Sequence, residues 1–192
     1  MTDPAFAFLL DYPPDDDWVS VDCETSSLNV KEAELLSIGA VKIRGNRILA
    51  SERFYVLVKP EKPIDDRSIP IHLLRPEDLK DALPPREALT RLLEFTGARP
   101  LVGYYLEYDV AIINKYLKPW IGITLPNRQI EISGLYYDRQ SGFHDTEVDL
   151  RFDTILKTLD LPVLPKHDAF NDAVMAAMAL LRMQDRADQE QH

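Results

Sequence analysis

The sequence predicts one α/β domain, built on a mixed sheet with an antiparallel three-strand meander and flanking helices. Three observations carry that expectation. From Trp18 onward apolar and polar residues alternate, and two further apolar-rich segments follow with little chain between them. From Pro85 the pattern changes to helical spacing, interrupted by a short strand candidate, which is the sequence signature of helices layered on a sheet. The chain has 192 residues, 45% of them apolar and 28% charged, an ordinary globular balance with enough length to bury a core.

Residues 1–17 read as an N-terminal appendage. A short apolar patch (Phe6, Phe8, Leu9, Leu10) precedes Pro13-Pro14 and the acidic run Asp15-Asp16-Asp17, and both of these interrupt regular structure. The patch is expected to dock back on the core, with service to a partner as the alternative. The folded domain is expected over residues 18–182. Its first strand sets Val19, Val21 and Cys23 on one face against Ser20, Asp22 and Glu24 on the other. Leu36–Arg44 and Ile48–Val58 are the next two strands, and Gly45-Asn46 between them suits a two-residue turn. The proline-rich stretch 60–85 reads as connecting structure with short helical turns. Pro85–Phe95 then carries Ala88, Leu92 and Phe95 at helical spacing, with Gly97 as a stop. Pro100–Gly103 is a short strand. Val110, Ile113, Asn114 and Leu117 mark a helix that Pro119 is expected to end. Leu150–Leu159 is a further helix. Ala169–Met183 is the longest, with Val174, Ala177, Met178 and Leu181 on one stripe. Residues 183–192 are a polar tail expected to fray.

Composition excludes several classes. With 22 basic and 32 acidic side chains the formal net charge is −10, which speaks against a broad phosphate-binding surface. The acids are unevenly placed, however: residues 1–30 hold seven and no Lys or Arg, leaving 25 acids against 22 bases over the rest. A single cysteine, Cys23, excludes an intramolecular disulfide framework. No apolar run reaches the ~18–20 residues of a membrane span, so no membrane partner is expected. The Ala5–Leu10 patch lacks the basic start of a secretory signal. Cytoplasmic residence is the resulting expectation.

Three constellations could do chemistry. Asp22 and Glu24, two apart in a strand, project to one face. Side by side they repel, and a divalent cation with a preference for oxygen ligands, Mg²⁺ or Mn²⁺, would resolve the repulsion. The alternative is the solvated face of an edge strand. Asp109 opens a helix beyond a short strand, where an acid is favoured in any case by the helix dipole; Glu107 competes with it. His167 precedes the last helix and Asp172 lies within it. Asp168 and Asp172 are four apart on the same face, so spacing does not choose between them. A histidine titrates near neutral pH and can accept a proton from an attacking water, although an exposed helix-start histidine is the plainer reading.

Together these segments resemble the DEDDh branch of the 3′–5′ exonucleases, the group of the proofreading epsilon subunit of bacterial DNA polymerase III, RNase T and oligoribonuclease. Val21-Asp-Cys-Glu-Thr-Ser-Ser-Leu-Asn29 resembles the first motif, followed by Ile38-Gly-Ala-Val-Lys-Ile43 as its second strand. Ile71-His-Leu-Leu-Arg-Pro-Glu-Asp-Leu79 resembles the segment after the third strand. Val102-Gly-Tyr-Tyr-Leu-Glu-Tyr-Asp109 resembles the second motif, and His167-Asp-Ala-Phe-Asn-Asp-Ala173 the third. The likeness spans about Trp18 to Leu181. It implies an RNase H-like fold and places the four family acids on Asp22, Glu24, Asp109 and Asp172, with His167 as general base. Two divalent cations, Mg²⁺ or Mn²⁺, are implied as cofactors, with Asp22, Glu24, Asp109 and Asp172 as the metal residues, Asp109 acting through metal-bound water or orienting that shell. Thr25, Ser26 and Leu28 are implied to contact the terminal nucleotide, with Leu28 as a wedge or, equally, a plain loop anchor. Tyr105 and His72 are further substrate-contact candidates, His72 with a structural role as its alternative. The family usually has Gly at Ser27 and His-Asn at Tyr104-Tyr105. The tyrosines add aromatic surface that either stacks on a base or packs in the core.

The implied function is release of nucleoside 5′-monophosphates from single-stranded DNA 3′ ends. A short-RNA substrate is the nearest alternative, since no residue reveals a contact to a 2′-hydroxyl. A non-catalytic, polymerase-associated protein is the alternative from another class, which the complete set of acids disfavours. Implied partners are single-stranded nucleic acid 3′ ends and a DNA polymerase or repair protein, yet no polymerase- or clamp-binding tail is recognised beyond Leu181.

Overall fold

A computed structural model describes residues 3–65, 69–140 and 148–190. Residues 1–2 of the appendage and 191–192 of the tail lie outside the described residues.

Among the described residues, five strands form one sheet in the order β3-β2-β1-β4-β5. β1 (Asp17–Thr25), β2 (Leu35–Arg44) and β3 (Arg47–Leu57) are the antiparallel meander. The β2–β3 connection is the two-residue turn Gly45-Asn46 between paired Arg44 and Arg47. Gly45 has φ +54°, a conformation that costs glycine little. β4 (Leu101–Gly103) and β5 (Gln129–Glu131) add on the other side of β1, each parallel to its neighbour, which makes the sheet mixed.

Helices cover both faces. In chain order they are α1 (Ile69–His72), α2 (Pro85–Thr96), α3 (Leu106–Ile121), α4 (Ile132–Gln140), α5 (Phe152–Thr158) and α6 (Ala169–Glu190). Val19, Val21 and Cys23 pack with Leu89 and Leu93 of α2 and Ile113 and Leu117 of α3 in one core. Val41 and Ile43 of β2 pack with Ala177, Leu180 and Met183 of α6 in a second. The alternation of β1 therefore divides its residues between two layers, and Asp22 and Glu24 fall on the α6 side.

Some elements depart from expectation. α3 begins four residues before Val110 and passes through Pro119 to Ile121. Pro119 lies in the last turn, where one lost N–H bond costs little, and Gly122 at φ +77° closes the helix with its N–H on the Lys118 carbonyl. α6 runs on to Glu190 rather than fraying after Arg182, anchored at that end by buried Met183, whose carbonyl accepts from Arg139. β5 and α4 answer to no feature of the sequence reading. β5 has three residues, two of them polar, and α4 buries only Ile132 and Tyr136.

The appendage docks on the core. Residues Pro4–Leu10 form a 3₁₀ helix that buries Phe6 and Leu9, and Phe6 meets Trp120 edge-on at 5.1 Å between ring centroids. The acidic run is not uniformly solvated: Asp17 is buried and accepts from Arg99 Nε at 3.0 Å.

Candidate active site

The C-terminal end of β1 is where the sheet changes from antiparallel to parallel pairing, and open α/β sheets place ligands at such a point. Here Asp22 pairs across the strand with Gly39 and Glu24 with Ser37, so all four share the face beneath α6. Gly39 lets that helix come close. A Cβ at position 39 would stand 2.2 Å from the backbone C of Ala169 and N of Phe170. With its first turn pressed on β2, α6 projects Asp172 over β1. Ligand-capable oxygens of Asp22, Glu24 and Asp172 all lie within 4.8 Å of one another.

The two candidates on α6 separate. The Asp168 carboxylate caps its own helix, Oδ1 accepting the Asn171 N–H at 2.9 Å. Asp172 turns to the cluster and accepts the His167 N–H on Oδ2 at 3.2 Å. His167 itself has a left-handed backbone, φ +60°, and its exposed side chain lines the same cavity. Asp109 arrives from the opposite layer. It is buried on α3, and its Oδ1 accepts the Cys23 N–H at 3.0 Å, which ties α3 to the strand between Asp22 and Glu24. Glu107 is exposed and does not line the cavity.

These carboxyls crowd one another around a cavity of about 290 Å³ that no Lys or Arg lines among the described residues. Burial, then the charges of Asp109, Asp172 and Glu24, push Asp22 far above the usual carboxylate range. Burial and the Asp172 charge raise Glu24 to about 7. Burial raises Asp172 to about 6, against the opposing pull of the His167 N–H. Asp109 is raised by burial, with the Cys23 N–H opposing. A set of oxygen-only donors with surplus negative charge and no built-in cation matches the ligand preference of a hard divalent ion.

The loop after β1 is braced from α3. The Tyr108 hydroxyl pairs with the Thr25 hydroxyl at 2.7 Å and donates to the Ser27 carbonyl. Ser26 exchanges two bonds with Glu34, its N–H donating at 3.0 Å and its Oγ accepting at 2.9 Å. Leu28 stands 82% exposed at the cavity wall. Both tyrosines of the pair line the cavity, but Tyr104 stacks on Phe152 at 4.4 Å and its hydroxyl donates to the Leu150 carbonyl, whereas Tyr105 is 56% exposed. His72 is not brought to the cavity. It is fully buried, and its Nδ1 accepts the Leu74 N–H. Two residues escaped the sequence reading. Tyr108, which lines the cavity, carried a usable signal, an aromatic three residues after Tyr105 on the same helix face; Glu131, which accepts the Tyr105 and Leu106 N–H groups at the start of α3, carried none.

Residues 19–180 match the model of the RNase T exonuclease family. Among curated relatives, a PolC-type DNA polymerase III of Caldanaerobacter subterraneus subsp. tengcongensis is 27% identical over 173 residues, covering 88% of this chain and 12% of that protein. The epsilon subunit of DNA polymerase III of Aquifex aeolicus is 32% identical over 113 residues, 59% of this chain and 55% of that protein. The chain thus spans about an eighth of the PolC-type relatives' length. Among solved structures, exonuclease X in complex with 5′ overhanging duplex DNA superposes with a TM-score of 0.71 at 18% identity, over 89% of this chain and 93% of that one. Exonuclease I superposes with a TM-score of 0.74 at 13% identity, over 91% and 42%. At such identities these two likenesses concern the fold, and the fold is the RNase H-like one. With its family model matched over nearly the whole domain, the chain belongs to the RNase T exonuclease family, in the branch of DEDDh-type 3′–5′ exonucleases.

Proposed function

We propose that this chain is a divalent-metal-dependent 3′–5′ exonuclease that removes nucleoside 5′-monophosphates from single-stranded DNA ends. The observation that carries the reading is the convergence of Asp22, Glu24 and Asp172 within 4.8 Å at one end of a cavity whose other wall is a loop and an aromatic side chain. Asp22, Glu24 and Asp172 would hold the divalent metal, and Asp109 would steady the cluster through its bond to the Cys23 N–H. Two bound divalent ions supply stabilisation of the negative charge that develops on the attacking and leaving oxygens of a phosphodiester.

The chain's own residues do the rest. Asp172 accepts the backbone N–H of His167 and so fixes where that histidine leaves the backbone. The His167 imidazole takes a proton from water as the water oxygen bonds to phosphorus. The bond from phosphorus to the 3′ oxygen of the preceding nucleotide then breaks, and that oxygen takes a proton from solvent to become the new 3′ hydroxyl. Thr25, Ser26, Leu28 and Tyr105 contact the terminal nucleotide. DNA is favoured over RNA by kinship with proteins named as DNA polymerase III and by likeness to an exonuclease solved with duplex DNA.

The test is a gel assay on 5′-labelled single-stranded DNA, duplex DNA and a short RNA, each with Mg²⁺, Mn²⁺ or EDTA. The expected result is a ladder shortening from the 3′ end of single-stranded DNA in either metal and no cleavage in EDTA. Internal cuts or cleavage in EDTA would overturn the chemistry. Faster shortening of the RNA would overturn the substrate.

A further inference from the structure

Tyr105 is an aromatic cavity residue that core packing does not explain. Its ring is more than half exposed although Tyr104, its neighbour, is folded against Phe152. Its backbone is left-handed, with φ 58° and ψ 33°, a region that bulky residues rarely enter. Such strain persists only where the surroundings enforce it.

Glu131, at the end of β5, enforces it. Its Oε1 accepts the Tyr105 N–H at 3.0 Å and its Oε2 accepts the Leu106 N–H at 2.7 Å. The same carboxylate accepts from Ser133, at 3.1 Å from the N–H and 2.9 Å from the hydroxyl. One side chain therefore caps the first turns of both α3 and α4, the former in place of the capping side chain that Tyr105 lacks.

The left-handed turn sends two consecutive tyrosine rings in different directions. Tyr105 comes to lie nearly parallel to Tyr108, with centroids 6.0 Å apart and planes 8° from coplanar. Tyr108 is in turn fixed to the 25–27 loop through its hydroxyl. The result is a flat aromatic face and an exposed Leu28 on the same cavity as a cluster of carboxylates suited to a cation. A ligand with a flat ring at one end and a phosphate at the other matches that pairing.

We propose that Tyr105 is a base-stacking platform for the 3′-terminal nucleotide and that Glu131 is the positioning residue that sets it. This rests on the exonuclease reading and adds to it the group that grips the base. Stacking reads no hydrogen-bond pattern, so the grip tolerates every base.

The test compares hydrolysis of single-stranded DNA ending in a normal nucleotide with DNA ending in an abasic one, in Mg²⁺ or Mn²⁺. The parent protein should prefer the base-bearing end. Tyr105→Ala should lower kcat/KM on that end about tenfold and on the abasic end by much less, while Tyr105→Phe should restore the preference. Glu131→Ala should lose the preference too, and Glu131→Gln, which keeps a carbonyl acceptor, should regain part of it. Equal losses on both ends, or a preference retained in Tyr105→Ala, would overturn the platform. If the parent hydrolyses neither end, the exonuclease reading fails separately. The platform is then read in EDTA from 2-aminopurine at the 3′ end, whose fluorescence the parent and Tyr105→Phe should quench and Tyr105→Ala should not; equal signals overturn it.

Discussion

Asp168 and Asp172 show how one hydrogen bond separates two residues that spacing makes equivalent. Four apart on one helix face, both could serve the cluster, but the Asp168 carboxylate is engaged by the Asn171 N–H of its own first turn. The two should therefore fail differently. Asp168→Ala removes a cap and should cost about 1 kcal/mol of stability, seen as a lower urea midpoint, while turnover stays near the parent's. Asp172→Asn should abolish turnover and weaken metal binding in calorimetry. His167→Ala gives a third pattern: turnover lowered roughly 10²- to 10⁴-fold with metal binding retained, because its side chain is outside the cluster of oxygens. Should Asp168→Ala silence the enzyme and Asp172→Asn spare it, the assignment of the two acids is reversed.

At the scale of elements, the site depends on how closely α6 lies on β2. Gly39 is the contact, and the clash is with backbone atoms of Ala169 and Phe170, which cannot rotate out of the way. Gly39→Ala should cost ~1–3 kcal/mol, as overpacking does, and should also lift Asp172 from Asp22 and Glu24. Denaturant titration and metal calorimetry on the one variant should both move; an unchanged metal affinity would mean that the helix finds its place without that contact. This is also where the sequence ceases to be legible. The meander could be read because period-two alternation and the Gly45-Asn46 turn are local signals. The acids could be placed on faces for the same reason. Contacts between elements leave no such trace: nothing near Gly39 in sequence announces a helix 130 residues later. Nor does Cys23 reveal that its backbone N–H receives Asp109. β5 is a further case. Its three residues, paired with β4, carry no pattern of their own, yet they bring Glu131 to the start of α3.

For the whole molecule, the carboxylate cluster sets how stability responds to pH. Unfolded carboxyls ionise near pH ~4, whereas in the fold Asp22 and Asp109 are raised well above that, Asp172 to about 6 and Glu24 to about 7. Between those limits the native state holds more protons than the unfolded one, so metal-free stability falls as pH rises from about 4 through 7. Asp149 has the opposite sign. Its pairing with Arg151 lowers its pKa, so its contribution is present above pH ~4 and is lost only in more acidic solution. The two effects occupy separate pH windows. A divalent cation reverses the first, because it binds the ionised cluster and stabilises the native state in proportion to occupancy. In EDTA the melting temperature should fall from pH 5.5 to 8. Mg²⁺ or Mn²⁺ should raise it little at pH 5.5 and markedly at pH 8. Asp22→Asn removes the charge that Asp109, Asp172 and Glu24 all repel and should raise the metal-free melting temperature at pH 8 while abolishing the metal-induced shift. An equal metal shift at both pH values, or one that survives Asp22→Asn, would place the ion somewhere other than this cluster.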